Sequence, residues 1–127
     1  MPPGHEMRPV ALALPDDRAV ARAVAYVQTF TPATPASTVK GSAQRGAALY
    51  APCAGCHGAR GEGNEALVAP ALAAQSDWYL VAQLAAYRDG LRGTHVDDVN
   101  GTAMRAMAVD LTDAAIDDLA AYIATLH

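Results

Sequence analysis

Cys53-Ala54-Gly55-Cys56-His57 concentrates the chemistry of this 127-residue chain: two thiols three positions apart, with an imidazole directly after the second. Three kinds of chemistry fit that pattern. The thiols can pair as a redox disulfide, which leaves His57 without a role, and no β-rich pattern surrounds the pair. Cys53, Cys56 and His57 can hold zinc if His5, His95, His127 or a carboxylate supplies a fourth ligand, but there is no second Cys or His pair at metal spacing. The third chemistry uses all three side chains: the thiols form thioethers to the vinyl groups of a haem and the imidazole ligates its iron. Both cysteines of the chain are then used.

The elements that must position these groups read as helices. Residues 42 to 51 suit a short helix leading to the cysteines, with Pro52 expected to mark its end, and Gly58, Gly61 and Gly63 read as a loop. Ser76 is placed to cap a helix that carries Trp78, Leu80, Val81, Leu84 and Tyr87 inward and stops at Gly90. Thr112 caps a last helix whose Ile116, Leu119, Ile123 and Leu126 form one stripe, with Asp113 at its positive end. No segment reads as a strand, so the fold is expected to be all-α.

Three regions follow along the chain. Residues 1 to 30 run from a Pro/Gly-rich start into a helical pattern at Val20, Ala23, Val24, Val27 and Phe30. Residues 31 to 40 hold two prolines among small residues and read as a linker. Residues 41 to 127 form the domain that carries the cysteine motif. Aromatics are sparse and alanine abundant, which suits close packing around a large flat cofactor.

A repeat links the first region to the last. Met7-Arg8, Leu14, an acidic helix start and Ala25-Tyr26-Val27 parallel Met104-Arg105, Leu111, Thr112-Asp113 and Ala121-Tyr122-Ile123, with one residue of slippage. Residues 1 to 30 therefore read as the closing third of a second, similar domain.

Composition excludes several roles. The net charge of −4, with Lys40 as the only lysine and eight scattered arginines, offers no basic stripe for nucleic acid and no lysine ring for an acidic partner. No stretch approaches the ~20 apolar residues of a membrane span, and the first thirty positions lack the pattern of a signal peptide.

These residues resemble the small class I cytochromes c, most closely the soluble bacterial diheme kind built from two such domains in tandem. The resemblance covers 41 to 127 and rests on Gly46, Tyr50, Cys53 to His57, Pro70-Ala71-Leu72, Trp78-Tyr79-Leu80, Gln83-Leu84, Tyr87, Gly90-Leu91-Arg92, Met104 and Tyr122. It implies a class I cytochrome c haem domain with an N-terminal helical extension, holding one haem c covalently through Cys53 and Cys56. His57 is the implied proximal iron ligand, with the Pro70 carbonyl bonded to its ring. The distal ligand is implied to be a methionine between the middle and last helices, where Met104 and Met107 both stand. The repeat aligns Met7 with Met104 and Val10 with Met107, which favours Met104; His95 is the alternative, as a second imidazole. Trp78, Tyr79 and Arg92 are implied to bond the haem propionates. Gly46 and Tyr122 are implied to make the close crossing of the first and last helices.

With both axial positions filled, the iron can only change oxidation state, so the resemblance implies periplasmic electron transfer without catalysis. The implied partners are an oxidase, a quinol-oxidising complex or a dehydrogenase, and an export signal is expected ahead of this segment in the precursor. Two alternatives stand beside the free carrier: a haem module of a larger redox enzyme or oxidase subunit, and a gas-binding haem sensor with an open iron position. Met7 has no Cys-x-x-Cys-His before it in this chain. An upstream haem domain is therefore expected, or a relic segment that now packs against the remaining domain, or else exchange of the N-terminal segment between two chains.

Overall fold

In a computed structural model that describes residues 5–126, seven α-helices and one 3-10 turn form the chain, divided into two compact units between Ala33 and Thr34. The first unit holds α1 (Met7–Leu12) and α2 (Asp17–Val27); the second holds α3 (Ala43–Leu49), α4 (Ala51–His57), α5 (Asp77–Arg88), α6 (Val99–Ala108) and α7 (Asp113–Ile123). Among the described residues there is no strand, only an isolated antiparallel bridge between Asn64 and Ala69. Met1 and the His127 considered above as a zinc ligand lie outside the described residues.

The second unit is organised by α7, which packs against α3 and α5, while α6 packs against α5. Its core is Tyr50, Leu80, Leu119, Ala120 and Ile123, with Leu72, Leu84 and Leu111 against it. The Thr112 hydroxyl accepts from the Ala115 amide at 3.1 Å and starts α7 as its sequence predicts. At the crossing of α3 and α7, a Cβ on Gly46 would stand 2.7 Å from the Tyr122 Cβ and overlap the Asp118 carbonyl. Asp118 locks that crossing from the side: its buried carboxylate accepts from the Ser42 amide at 2.6 Å and from the Arg45 guanidinium at 2.7 and 2.9 Å. The same guanidinium holds the Asp118 carboxyl below the usual carboxylate range.

Three elements depart from their sequence-based expectation. Pro52 does not end the helix before the cysteines; that helix stops at Leu49, and Pro52 sits in the first turn of α4, where a missing amide hydrogen costs nothing. Residues 99–108, to which the sequence reading assigns no helix, are helical, because Asp98 accepts from the Gly101 amide at 2.7 Å and caps them. Trp78, expected inside, is 59 % exposed on the first turn of α5, while Leu80 and Tyr87 of the same helix are buried.

Asp77 ties the start of α5 to the chain before α3. Its buried carboxylate accepts from the Thr38 hydroxyl at 2.6 Å and from the amides of Thr38, Val39 and Trp78 at 2.6, 2.9 and 2.7 Å. The Thr38 hydroxyl, with those amides, pulls its carboxyl down to about 2.

Helix α2 reproduces the local structure of α7, although α1, with 6 residues and no side-chain cap, is shorter than the capped 10-residue α6. Both α2 and α7 have 11 residues. Asp16 accepts from the Ala19 amide at 2.8 Å where Thr112 accepts from Ala115. Past the end, the Thr29 hydroxyl donates to the Tyr26 carbonyl at 2.7 Å, and Thr125 does the same to Tyr122 at 2.6 Å. The burial differs. Ile116, Leu119, Ala120 and Ile123 of α7 are buried, whereas Val20, Ala23, Val24 and Val27 at the matching places on α2 are exposed.

Candidate cofactor site

Helix α4 presents Cys53, Cys56 and His57 within little more than one turn. Both thiols are free: Cys53 is half-buried against the core, and Cys56 is exposed. Burial pushes the Cys53 thiol up, so it stays protonated at neutral pH. The hydroxyl of buried Tyr50 donates to the Gly58 carbonyl at 2.7 Å and fastens the C-terminal end of α4.

His57 is 5 % exposed, and its Nδ1 lies 2.8 Å from the Pro70 carbonyl oxygen. A carbonyl can only accept, so Nδ1 carries the proton and donates, and Nε2 is left as the nitrogen with a free lone pair. The loop that brings Pro70 there is held by main-chain bonds. The Gly63 amide donates to the His57 carbonyl at 2.7 Å, Asn64 and Ala69 exchange bonds at 2.8 and 2.9 Å, and the amides of Leu72 and Ala73 donate to the Gly61 carbonyl at 2.8 and 3.0 Å. Gly61 and Gly63 adopt positive φ, and a Cβ on Gly63 would stand 2.7 Å from the Ala71 amide nitrogen. Only glycine allows that approach.

Arg92 lies with its guanidinium carbon 4.7 Å from the Tyr87 ring centroid and donates to the Gln83 side-chain oxygen, so a flexible surface arginine is given a fixed direction. Trp78 and Tyr79 meet edge to face at 6.0 Å on the first turn of α5. Met104 is half-buried on α6, while Met107 on the same helix is 49 % exposed. His95 is exposed in the loop between α5 and α6, where its Nδ1 accepts from the Asp97 amide at 3.2 Å. Gln83 as the partner of Arg92 and Asp77 as a clamp were missed as site residues; the partners of Asp77, Thr38 and Val39, are distant in sequence, while Arg92 lies just past the end of the helix that holds Gln83.

The donor set fits a covalently attached haem. Two unpaired thiols share helix α4 with a buried imidazole whose Nδ1 is already engaged, the arrangement that fixes a ligating ring and leaves Nε2 for iron. Among the described residues, no three His, Cys, Asp or Glu side chains converge into a metal-binding cluster, so the zinc reading finds no ligand set. No helix among them is long and apolar enough to cross a membrane.

Comparison with known proteins agrees with this reading. The family model described as "Cytochrome c" matches residues 43–127. The chain is 40 % identical over 82 residues to cytochrome c-554(548) of Halomonas halodenitrificans, covering 65 % of this chain and 93 % of that protein. It is 36 % identical over 75 residues to cytochrome c4 of Azotobacter vinelandii, covering 59 % of this chain but about a third, 34 %, of that longer protein. Among solved structures, cytochrome c4 of Acidithiobacillus ferrooxidans superposes with a TM-score of 0.70 at 30 % identity, covering 93 % of this chain and 69 % of that one.

Proposed function

The chain belongs to the cytochrome c family, and from that premise we propose that it carries electrons through one haem c that Cys53 and Cys56 would bind and whose iron His57 and Met104 would hold. The observation that carries the proposal is the 2.8 Å bond from His57 Nδ1 to Pro70, which commits the opposite nitrogen of a buried imidazole beside two free thiols. A haem whose iron is held by both residues would supply reversible one-electron transfer and leave no position for substrate. The protein's part is to orient His57, keep water from its buried ring, and raise its basicity through the Pro70 carbonyl.

Burial favours Met104 over Met107 as the thioether ligand, since a ligating sulfur must face inward. Arg92, directed by Gln83 and Tyr87, is our candidate for pairing with a haem carboxylate, and Trp78 and Tyr79 are candidates for hydrogen bonds to it. We place the protein in the periplasm, exchanging electrons with an oxidase, a quinol-oxidising complex or a dehydrogenase. The scarcity of lysine means that docking rests on apolar surface and arginines.

The second part of the proposal concerns α1 and α2. We read residues 1–30 as the end of a preceding haem domain, with Met7 standing where Met104 stands. The match of α2 to α7 supports this, as does the superposition on cytochrome c4, whose 93 % coverage is too large to be met by residues 34–127 alone. Exchange of this segment into a second copy is disfavoured by charge. Arg22 occupies the place of Asp118, so α2 set against a copy's α3 would bring Arg22 to Arg45 and leave the Ser42 amide without its acceptor.

The deciding experiment is a visible spectrum in both oxidation states with haem counted per chain, on the wild type and on Met104→Ala and Met107→Ala. One haem per chain, a weak far-red band from iron–methionine bonding and its loss only in Met104→Ala are expected. A high-spin wild type that binds CO rapidly would sink the carrier reading in favour of a gas-binding site.

A further inference from the structure

The loop that aims Pro70 at His57 contains the only two non-glycine residues with positive φ among those described: Val68 at φ 54° and Ala74 at φ 64°. They bracket the segment that delivers the Pro70 carbonyl. Between them the chain is pinned, by the Asn64–Ala69 bridge on one side of Pro70 and by the Leu72 and Ala73 amides on the Gly61 carbonyl on the other. Before Val68, the Asn64 side chain accepts from the Leu67 amide at 3.3 Å, and the Val68 amide itself donates to the Glu65 carbonyl at 3.0 Å. The chain must reverse at Val68 to enter the bridge, and a left-handed residue does that.

Valine is a poor choice for this conformation. A β-branched residue at positive φ is a strained outlier, and glycine or asparagine would occupy the place with little penalty. Packing does not explain it, because Val68 is 68 % exposed. What valine supplies and glycine cannot is narrowness: once the bridge forces it left-handed, its stiff side chain leaves a small well in φ and ψ, where glycine would roam.

We propose that Val68 is a positioning residue for the Pro70 carbonyl, restricting the backbone hinge two residues ahead of it so that the hydrogen bond to His57 Nδ1 stays short, which in turn biases the iron toward its oxidised state. The second half rests on the reading of His57 as the iron ligand. A firm Nδ1–H···O=C bond makes the ring a stronger donor and favours the ferric form; a loose hinge shifts the balance toward the ferrous form.

The test uses the haem-loaded full chain as wild type, Val68→Gly and Val68→Ile, with two readouts: the solvent-exchange rate of the His57 Nδ1 proton by NMR, and the ferrous-to-ferric ratio at fixed potential. Val68→Gly is expected to speed proton exchange about tenfold and to raise the ferrous-to-ferric ratio about threefold, near 28 mV at 59 mV per tenfold for one electron. Its thermal stability should be unchanged or higher, because strain is released. Val68→Ile keeps the β-branch and should match the wild type in both readouts. Unchanged proton exchange in Val68→Gly overturns the proposal, as does an equal shift in both variants or a shift toward the ferric form. Altered electron transfer to a partner with unchanged exchange overturns it too, marking Val68 as a contact rather than a hinge. Exchange reports on the Nδ1 bond whether or not His57 binds iron, so an error in the ligation reading appears separately, in the wild-type spectrum.

Discussion

Replacing Gly46 by alanine adds one methyl group where two helix backbones meet. That carbon would lie 2.6 Å from the Asp118 carbonyl carbon and 2.7 Å from the Tyr122 Cβ, about 1 Å inside ordinary carbon contact at 3.5–4.0 Å. Backbone atoms cannot rotate away, so α3 and α7 must separate, loosening Tyr50, Leu119, Ala120 and Ile123 together. Overpacking of this kind costs about 1–3 kcal/mol, and the rigidity of the neighbours puts this case near about 3. Alanine returns about 1 kcal/mol through its helix propensity. The net loss is about 2 kcal/mol, or roughly 8–16 °C in melting temperature for a domain of this size. Gly55→Ala in α4 is the control: nothing lies within 4 Å of the added carbon, so only the propensity gain of up to about 1 kcal/mol remains. Guanidinium unfolding of the two haem-loaded variants, followed by circular dichroism, should move their midpoints in opposite directions. Equal midpoints, or a Gly46→Ala variant as stable as the wild type, would refute the account of the crossing.

Two further predictions concern the clamp and the thiols. Asp77→Asn replaces an acceptor of several donors by a group that must itself donate. A carboxyl moved from 3.8 to about 2 is worth roughly 2.4 kcal/mol, reduced by screening in a first helical turn to about 1–2 kcal/mol. Because the folded value lies below the unfolded one, this stabilisation is complete above about pH 4 and disappears as pH falls toward 2, so urea midpoints of variant and wild type should converge over that interval. Cys53→Ala should leave a chain that keeps one thioether by intact mass but loses about 1 kcal/mol of core packing, whereas Cys56→Ala, at an exposed position, should keep one thioether at little cost in packing; haem released in full from either single variant under denaturing acid would count against attachment at both sites.

Much of the site could be read from residue types alone, because its chemistry is local. Cys53, Cys56 and His57 are neighbours in the chain, and the Thr112 cap and the Gly90 stop act within one turn of their helices. Pro70 needed the resemblance to a family, since a proline in a loop says nothing of where its carbonyl points; the 2.8 Å bond to His57 supplied that. Helix α6 was hidden because Asn100, Gly101 and Thr102 are weak helix formers and its cap depends on a glycine fitting against Asp98. Asp77 had the opposite difficulty. Its identity suits a helix start, so nothing marked its bonds to Thr38 and Val39, which exist only once the chain has folded back on itself.

The packing of α3 against α7 also dictates an order of events during synthesis. The partners of that crossing are Ala43–Leu49 and Asp113–Ile123, one just before the thiols and the other well after them, so the crossing cannot form until the chain has been made through α7. Bringing such distant segments together costs about 4 kcal/mol in chain entropy by itself, and contacts of this range form slowly. During that delay Cys53 has no core to shelter it, although it ends half-buried. The interval before the helices close is therefore when both thiols are most open to reaction, and a chain that folded faster would shorten it.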